Sequence, residues 1–179
     1  MALGRAGPSA LTVSPNTWPT RVESERRIMT KPNLVAKWSA WAPYLHSVLR
    51  IVAAFMFMLA GTMKLFAFPA GVPPDGGTVP LMSQIGIGAI LEVFGGALLL
   101  IGLFTRSVAF LLSGEMAVAY FQFHFPQGFW PTMNGGVPAA LYCFVWLYFS
   151  AAGAGPWSLD AKRESEQTVL RTALHSGPP

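Results

Sequence analysis

The sequence predicts an all-α integral membrane protein, a four-transmembrane-helix bundle with both termini in the cytoplasm. Three observations predict it. Of 179 residues, 53% are hydrophobic and 11% are charged, against about 25% charged residues in an ordinary soluble domain. The charges are also segregated. Between Tyr44 and Ala154 the Lys, Arg, Asp and Glu residues are Arg50, Lys64, Asp75, Glu92, Arg106 and Glu115, and all the others sit in the tails. Finally, lysine and arginine fall on alternate connections between apolar runs, the pattern that marks the cytoplasmic side of a membrane.

Residues 1–43 form an N-terminal tail. Residues 1–20 are rich in Gly, Pro, Ser and Thr and are expected to be disordered. They lack the continuous apolar stretch of a secretory signal. Met29 opens an ordinary-looking start, so initiation at Met29 is an alternative to Met1. Residues 33–42 have the composition of a short interfacial helix, with Lys37 snorkelling and Trp38 and Trp41 at headgroup level.

The transmembrane domain covers 44–154, with spans expected at 44–66, 81–104, 107–123 and 137–152. Each approaches the ~20 residues that cross ~30 Å of hydrocarbon, the third being short. Backbone groups in lipid must bond to one another, so the spans are helices. Pro69, Pro73 and Pro74 end the first, Thr105 and Arg106 make a tight turn after the second, and a Pro/Gly-rich loop at 124–136 precedes the fourth. A soluble bundle of four buried helices would need polar outer faces, which these spans lack. The C-terminal tail covers 155–179, and 160–174 is expected to be a short helix capped by Asp160.

Orientation follows from Arg21, Arg26, Arg27, Lys31 and Lys37 before the first span, Arg106 between the second and third, and Lys162, Arg163 and Arg171 after the fourth. The connections at 67–80 and 124–136 carry no lysine or arginine, so they are expected outside and both termini inside.

Several function classes are excluded or disfavoured. The net charge of +4 lies mostly in the tails, with no basic stripe interleaved with aromatics, so no nucleic-acid partner is expected. Cys143 is the only cysteine, which excludes an intrachain disulfide or a CxxC redox pair. No metal site is expected, because no Cys/His cluster suits zinc. His46 and His124 lie at opposite ends of the membrane and cannot share a haem. Nucleotide-binding, serine-hydrolase and zinc-protease motifs are absent. No intrinsic cofactor is expected.

Ionisable side chains inside spans are costly and mark functional candidates. Here they are Arg50, Lys64, Glu92 and Glu115. Arg50 and Lys64, fourteen residues apart, share a helix face with Phe57 and Gly61. Glu92 sits among Gly88, Gly95 and Gly96, a spacing that brings helices close. Glu115 shares a face with Ala119 and Gln122. Glu92 and Glu115 are the candidates for proton handling; Arg50, Lys64, Gln84, Gln122 and His124 are the candidates for a polar ligand-binding pocket. Chain direction places Arg50 and Glu115 at one depth, where they are expected to pair, and Lys64 nearer the outer edge with Gln84. The four charges are open to two readings: neutralising pairs that fix helix register, or a polar pocket or proton path that holds a small apolar-ringed ligand such as a quinone. A role in binding a partner protein is a third.

The ordered set of short motifs resembles the DoxX family of bacterial membrane proteins. It comprises Arg50, Phe57, Gly61, Lys64 and Leu65 in the first span, and Glu92, Gly95, Gly96, Leu99 and Gly102 in the second. Phe104-Thr105-Arg106 follows in the turn, and His124-Phe125-Pro126, Gly128-Phe129-Trp130-Pro131 and Asn134-Gly135-Gly136 in the second loop. The set ends on Gly153-Ala154-Gly155-Pro156-Trp157-Ser158-Leu159-Asp160. The resemblance implies a four-helix bundle in the bacterial inner membrane. Some relatives are tied to thiosulfate:quinone oxidoreductase and to quinone or thiol stress responses. This implies an accessory subunit in quinone-linked redox metabolism, with a quinone as ligand, a redox protein as partner and homo-oligomers as an open possibility. The alternative is a non-catalytic scaffold or assembly partner for a soluble oxidoreductase. Relatives often carry a glutamate after Asn-Gly-Gly, where this chain has Val137, so a role resting on that carboxylate does not transfer.

Overall fold

The computed structural model describes residues 34–175, so the expectations of disorder at 1–20 and of a start at Met29 lie outside the described residues. The chain divides into two units, Met1–Ala40 and Trp41–Pro179. In the first, α1 (Leu34–Ser39) is a six-residue helix with no buried side chain, shorter than the interfacial helix expected over 33–42.

The second unit holds five helices and, among the described residues, no strand beyond an isolated bridge between Val72 and Gly77. Helix α2 (Ala42–Phe66) starts with Pro43 in its first turn, where a missing N–H costs nothing. It ends at Ala67, whose left-handed backbone (φ 51°) turns the chain out. Ser47, Arg50, Ala54, Phe57 and Gly61 are buried at alternating spacings of three and four, one inward stripe of the helix.

Helix α3 (Gln84–Ile101) is shorter at both ends than the expected 81–104. The Ser83 hydroxyl accepts from the Gly86 N–H at 3.0 Å and sets the start. Gly102 at φ 69° stops it in a left-handed cap. Helix α4 (Thr105–Ala119) runs on without a break through a π turn (Tyr120–His124) and a 3-10 turn (Phe125–Gln127). The expected 107–123 was therefore too short, because helical backbone extends over 23 residues. Helix α5 (Val137–Ala152) matches its expected bounds, with Pro138 in its first turn. Helix α6 (Leu159–His175) is polar and buries no side chain.

Three helical runs are long and apolar enough to cross a membrane, Ala42–Phe66, Gln84–Ile101 and Thr105–Gln127; Val137–Ala152 is apolar but shorter. Helix α2 packs on α3, α4 on α5, and α3 on α4. Phe57, Leu99, Leu112, Trp146 and Phe149 form the core, with the Phe57 ring against Trp146 at 5.3 Å and Tyr142 at 5.0 Å between centroids. The outward positions are also apolar. Phe94 is 67% exposed, Phe110 69% and Phe144 70%. A water-soluble fold rarely exposes such a continuous apolar girdle, whereas lipid solvates it.

Glycine sets the spacing of α2 and α3. A Cβ on Gly61 would lie 2.8 Å from the Ala89 carbonyl oxygen and from Val93 Cγ2, and one on Gly96 would lie 3.0 Å from Met58 Cβ. Gly114, by contrast, has nothing within 4 Å of such an atom. Gly61→Ala is therefore expected to lower stability by about 1–3 kcal/mol through overpacking, and Gly114→Ala to leave it unchanged or higher. Thermal unfolding of both variants in detergent, followed by monodispersity, checks the contrast; equal midpoints would show that the α2–α3 contact is slack.

Candidate functional site

The close contact at Gly61 places the two helices so that a lysine one turn further on can reach across. Side chains on a helix lean toward its N-terminus, so Lys64 leans back from its own level toward Glu92. Its ammonium meets Glu92 Oε1 at 2.5 Å. The lysine side chain is 30% exposed and the glutamate 4%, so the carboxylate is fixed inside and the amine sits toward an opening. Glu92 Oε2 is buried and has no hydrogen-bond partner.

Glu115 comes to the same place from α4. Glycine makes room for it: a Cβ on Gly88 would lie 3.1 Å from Glu115 Oε1. Glu115 Oε2 is buried and unpartnered, and the electrostatic neighbours of Glu115 are Glu92 and Lys64. The cluster thus holds two carboxylates and one ammonium. With all three ionised it carries one surplus negative charge in apolar surroundings.

A cavity of about 460 Å³ adjoins the cluster. Lys64, Gln84, Glu92, Glu115 and His124 supply its polar wall, and Phe57, Leu91, Met116, Phe123 and Tyr142 are among its apolar lining. Its size falls in the range of small-molecule sites, about 300–1,000 Å³, and an apolar wall with a few convergent polar groups is the usual makeup of such sites. His124 Nδ1 lies 3.0 Å from the Asn134 carbonyl oxygen, an acceptor only, so that nitrogen donates and leaves Nε2 as an acceptor in the neutral ring. Asn134 is itself stapled in place: its Nδ2 donates to the Gly128 carbonyl at 2.7 Å and its Oδ1 accepts from the Gly136 N–H at 2.8 Å.

Five of the seven candidate residues therefore line one cavity. Arg50 does not, and the expected Arg50–Glu115 pair is absent. Arg50 is fully buried at the opposite end of the bundle. It donates to the Leu99 carbonyl, to the Leu100 and Ala154 carbonyls at 2.8 Å, and to the Trp157 carbonyl at 2.5 Å. The last carbonyls of a helix have no intrahelical partner and carry partial negative charge, so the end of α3 supplies the acceptors that a carboxylate was expected to supply. Glu115 stands ten residues into α4, about 15 Å along its axis, and is out of reach. Gln122 also misses the cavity. The Gln84 amide donates to its side-chain oxygen, which makes Gln122 a support for the rim. A π turn takes more residues per turn than an α-helix, so the inward face expected at Gln122 falls on Phe123 and His124 instead.

The sequence reading missed Tyr142 and Asp160. Tyr142 lines the cavity from α5, and a lone tyrosine in an apolar span gives little signal. Asp160 was expected to cap its own helix, but Ser158 does that, its hydroxyl accepting from the Ala161 N–H at 3.1 Å. Asp160 instead caps α4 from a distance. Its two oxygens accept from the Phe104 N–H at 2.9 Å and the Thr105 N–H at 2.8 Å. This holds the turn in which Phe104 adopts a left-handed backbone (φ 52°). The signal was a carboxylate near a helix start with no local cap, which single-sequence spacing does not connect across 55 residues.

An α-helical membrane protein with a buried charge cluster beside an apolar cavity is the class these features define. Comparison with known proteins gives the family. The DoxX domain matches residues 45–125, and an uncharacterized protein of Haemophilus influenzae is 45% identical over 127 residues, covering 68% of this chain and 92% of that protein. The chain belongs to the DoxX family. No solved structure matches it.

Burial works to raise the Asp160 carboxyl, but the Thr105 and Phe104 N–H groups outweigh it and hold the group below the usual aspartate range. A depressed folded value means that the cap contributes fully above about pH 3.9 and is lost as pH falls through the folded value. Asp160→Asn is expected to cost about 1 kcal/mol near neutrality, the size of a helix cap, and to flatten the loss of stability in acid. Unfolding midpoints of both proteins between pH 7 and the acid limit check it, and parallel curves would remove Asp160 from the account.

Proposed function

We propose that this DoxX protein is a four-span protein of the bacterial inner membrane with both termini cytoplasmic. In this reading its cavity binds a quinone, and the protein serves as an accessory subunit in quinone-linked redox metabolism or redox stress response. The observation that supports the ligand is the Lys64–Glu92–Glu115 cluster in the wall of an otherwise apolar cavity. A quinone head is a flat apolar ring with carbonyl acceptors. The Lys64 ammonium has N–H groups beyond the one given to Glu92 and can donate to such a carbonyl. Phe57 and Tyr142 contribute aromatic carbon to the cavity wall, and Glu115 can hold or release a proton beside the head. A bound quinone supplies two-electron, two-proton chemistry; the electrons would come from a redox partner protein. Glu92, tied to Lys64, acts in this reading as the fixed counter-charge that positions the amine.

The fourth span is α5, which at 16 residues is about 24 Å long. It buries Trp146 and Phe149 against its neighbours, and a few residues of ordered loop at each end make up the remaining thickness. The orientation rests on Arg106 and the tail lysines and arginines on one side and none in the connections on the other.

Titrating decylubiquinone into purified protein tests the ligand. Saturable binding is expected, with Lys64→Met weakening it by about tenfold, a loss of about 1.4 kcal/mol. Absence of binding in a folded, monodisperse sample would favour the other reading, a membrane scaffold for a soluble oxidoreductase. For topology, with Cys143 replaced by alanine, single cysteines at Asp75 and Gln127 are expected to react with an impermeant thiol reagent in intact spheroplasts, and one at Ser165 only after lysis. The reverse pattern would invert the protein.

A further inference from the structure

The charge count of the cluster leads beyond the quinone reading. Lys64 neutralises one carboxylate. The second has no cation of its own. Glu115 accepts no hydrogen bond among the described residues, and its Oε2 and Glu92 Oε2 are both buried without partners. Glu92 is only 3% exposed and is among the residues that line the cavity. An excess negative charge in a low-dielectric site is costly and is met either by a proton or by a cation. The cavity offers the second solution. Its lining is mostly apolar and includes the aromatic residues Phe57, Phe123 and Tyr142, a residue type that attracts organic cations. The cavity also borders the lipid side of the bundle, because Ile85, Ile87 and Val118 both line it and are outwardly exposed.

We propose that the cavity is also a binding site for lipophilic organic monocations, which enter from the bilayer and exchange with the proton that Glu115 otherwise carries. No bond to carbon changes in this exchange. The cation enters, the O–H bond of Glu115 breaks, and the proton leaves to water, so the net charge of the occupied and the empty site is the same. Lys64 stays on Glu92 throughout, and this limits the site to a single positive charge. A hydrated metal ion is disfavoured, because the apolar wall cannot replace its water and, among the described residues, no group of three or more His, Cys, Asp or Glu could hold one.

Tetraphenylphosphonium is a suitable probe and tetraphenylborate, of the same shape and opposite charge, its control. Isothermal titration of the full-length protein in detergent, repeated in buffers of different ionisation enthalpy, reads both affinity and protons released. Saturable binding of the phosphonium is expected with release of close to one proton per cation, with no binding of the borate. Glu115→Gln is expected to weaken the phosphonium by about tenfold or more, and Glu115→Asp to retain part of it. Binding of both ions alike would show only apolar partition and overturn the proposal, as would binding without proton release or unchanged affinity in a folded Glu115→Gln protein. Should Glu115→Gln fail to fold, the proton count on the unmodified protein decides alone. Quinone titration is separate, so a protein that takes the cation and no quinone would sink the quinone reading and leave this one standing.

Discussion

The bundle depends on how closely α2 and α3 approach. At Gly61 there is no room for a methyl group against Ala89 and Val93, and this contact brings the lysine one turn later within reach of Glu92. At a wider spacing the same residues would be two isolated charges in an apolar medium, each costing several kcal/mol. The ion pair in turn fixes helix register, because one amine on one helix satisfies one carboxylate on the other. Glycine-mediated packing and buried charge are here one device: the first creates the short distance, and the second penalises every register but one.

The two ends of the bundle solve a different problem. Helices must turn, and turns leave carbonyls and N–H groups without partners. At one end Arg50 gathers four carbonyls from the end of α3 and from the segment after α5, while Asp160 gathers the N–H groups that open α4. His46 adds a contact of 2.9 Å from its Nε2 to the Gly153 carbonyl. The hydrogen bonds of Arg50 and Asp160 here go to backbone groups. At the other end Asn134 and His124 hold the loop before α5. Between them, the charges of the Lys64 cluster face one another and a cavity. Polar residues that look alike in the sequence thus occupy two settings, the closed ends of the bundle and the wall of the cavity, and His124 belongs to both.

This division explains what could be read from the sequence. The approximate position and apolar character of the long helices follow from composition, because lipid imposes one rule on every residue that meets it. The helix ends at Ser83 and Gly102 are ordinary cap residues, yet the apolar run continues past them, so hydropathy alone overshot to 81 and 104. The π turn at Tyr120–His124 has no compositional mark, and it moved His124 and Phe123 onto the cavity at the expense of Gln122. Arg50 was legible as an inward charge but not as a carbonyl ligand, since charge suggests a charged partner and a helix C-terminus is invisible as an acceptor until its position is known. Lys64, Glu92 and Glu115 were legible as candidates for a simple reason: no packing role makes an ionisable group cheap in lipid. Their convergence was not, because depth counted along straight axes ignores the backward lean of a long lysine side chain.

What most separates this cluster from a packing device is its second carboxylate. A register lock needs a lysine and one glutamate, and the pair is then neutral. Adding Glu115 spoils that neutrality and brings no new hydrogen bond to offset it. Gly88, which lies against Glu115, gives up the side chain that would fill the gap. A protein selected only for stability has a ready remedy in a leucine or methionine at position 115, since exchanging buried polar groups for apolar ones of similar volume is often neutral or stabilising. The cost is instead retained beside a cavity, where a proton or a charged guest can relieve it. The proposed exchangeable occupant, a proton or a cation, would relieve that charge without any change in the packing of the helices.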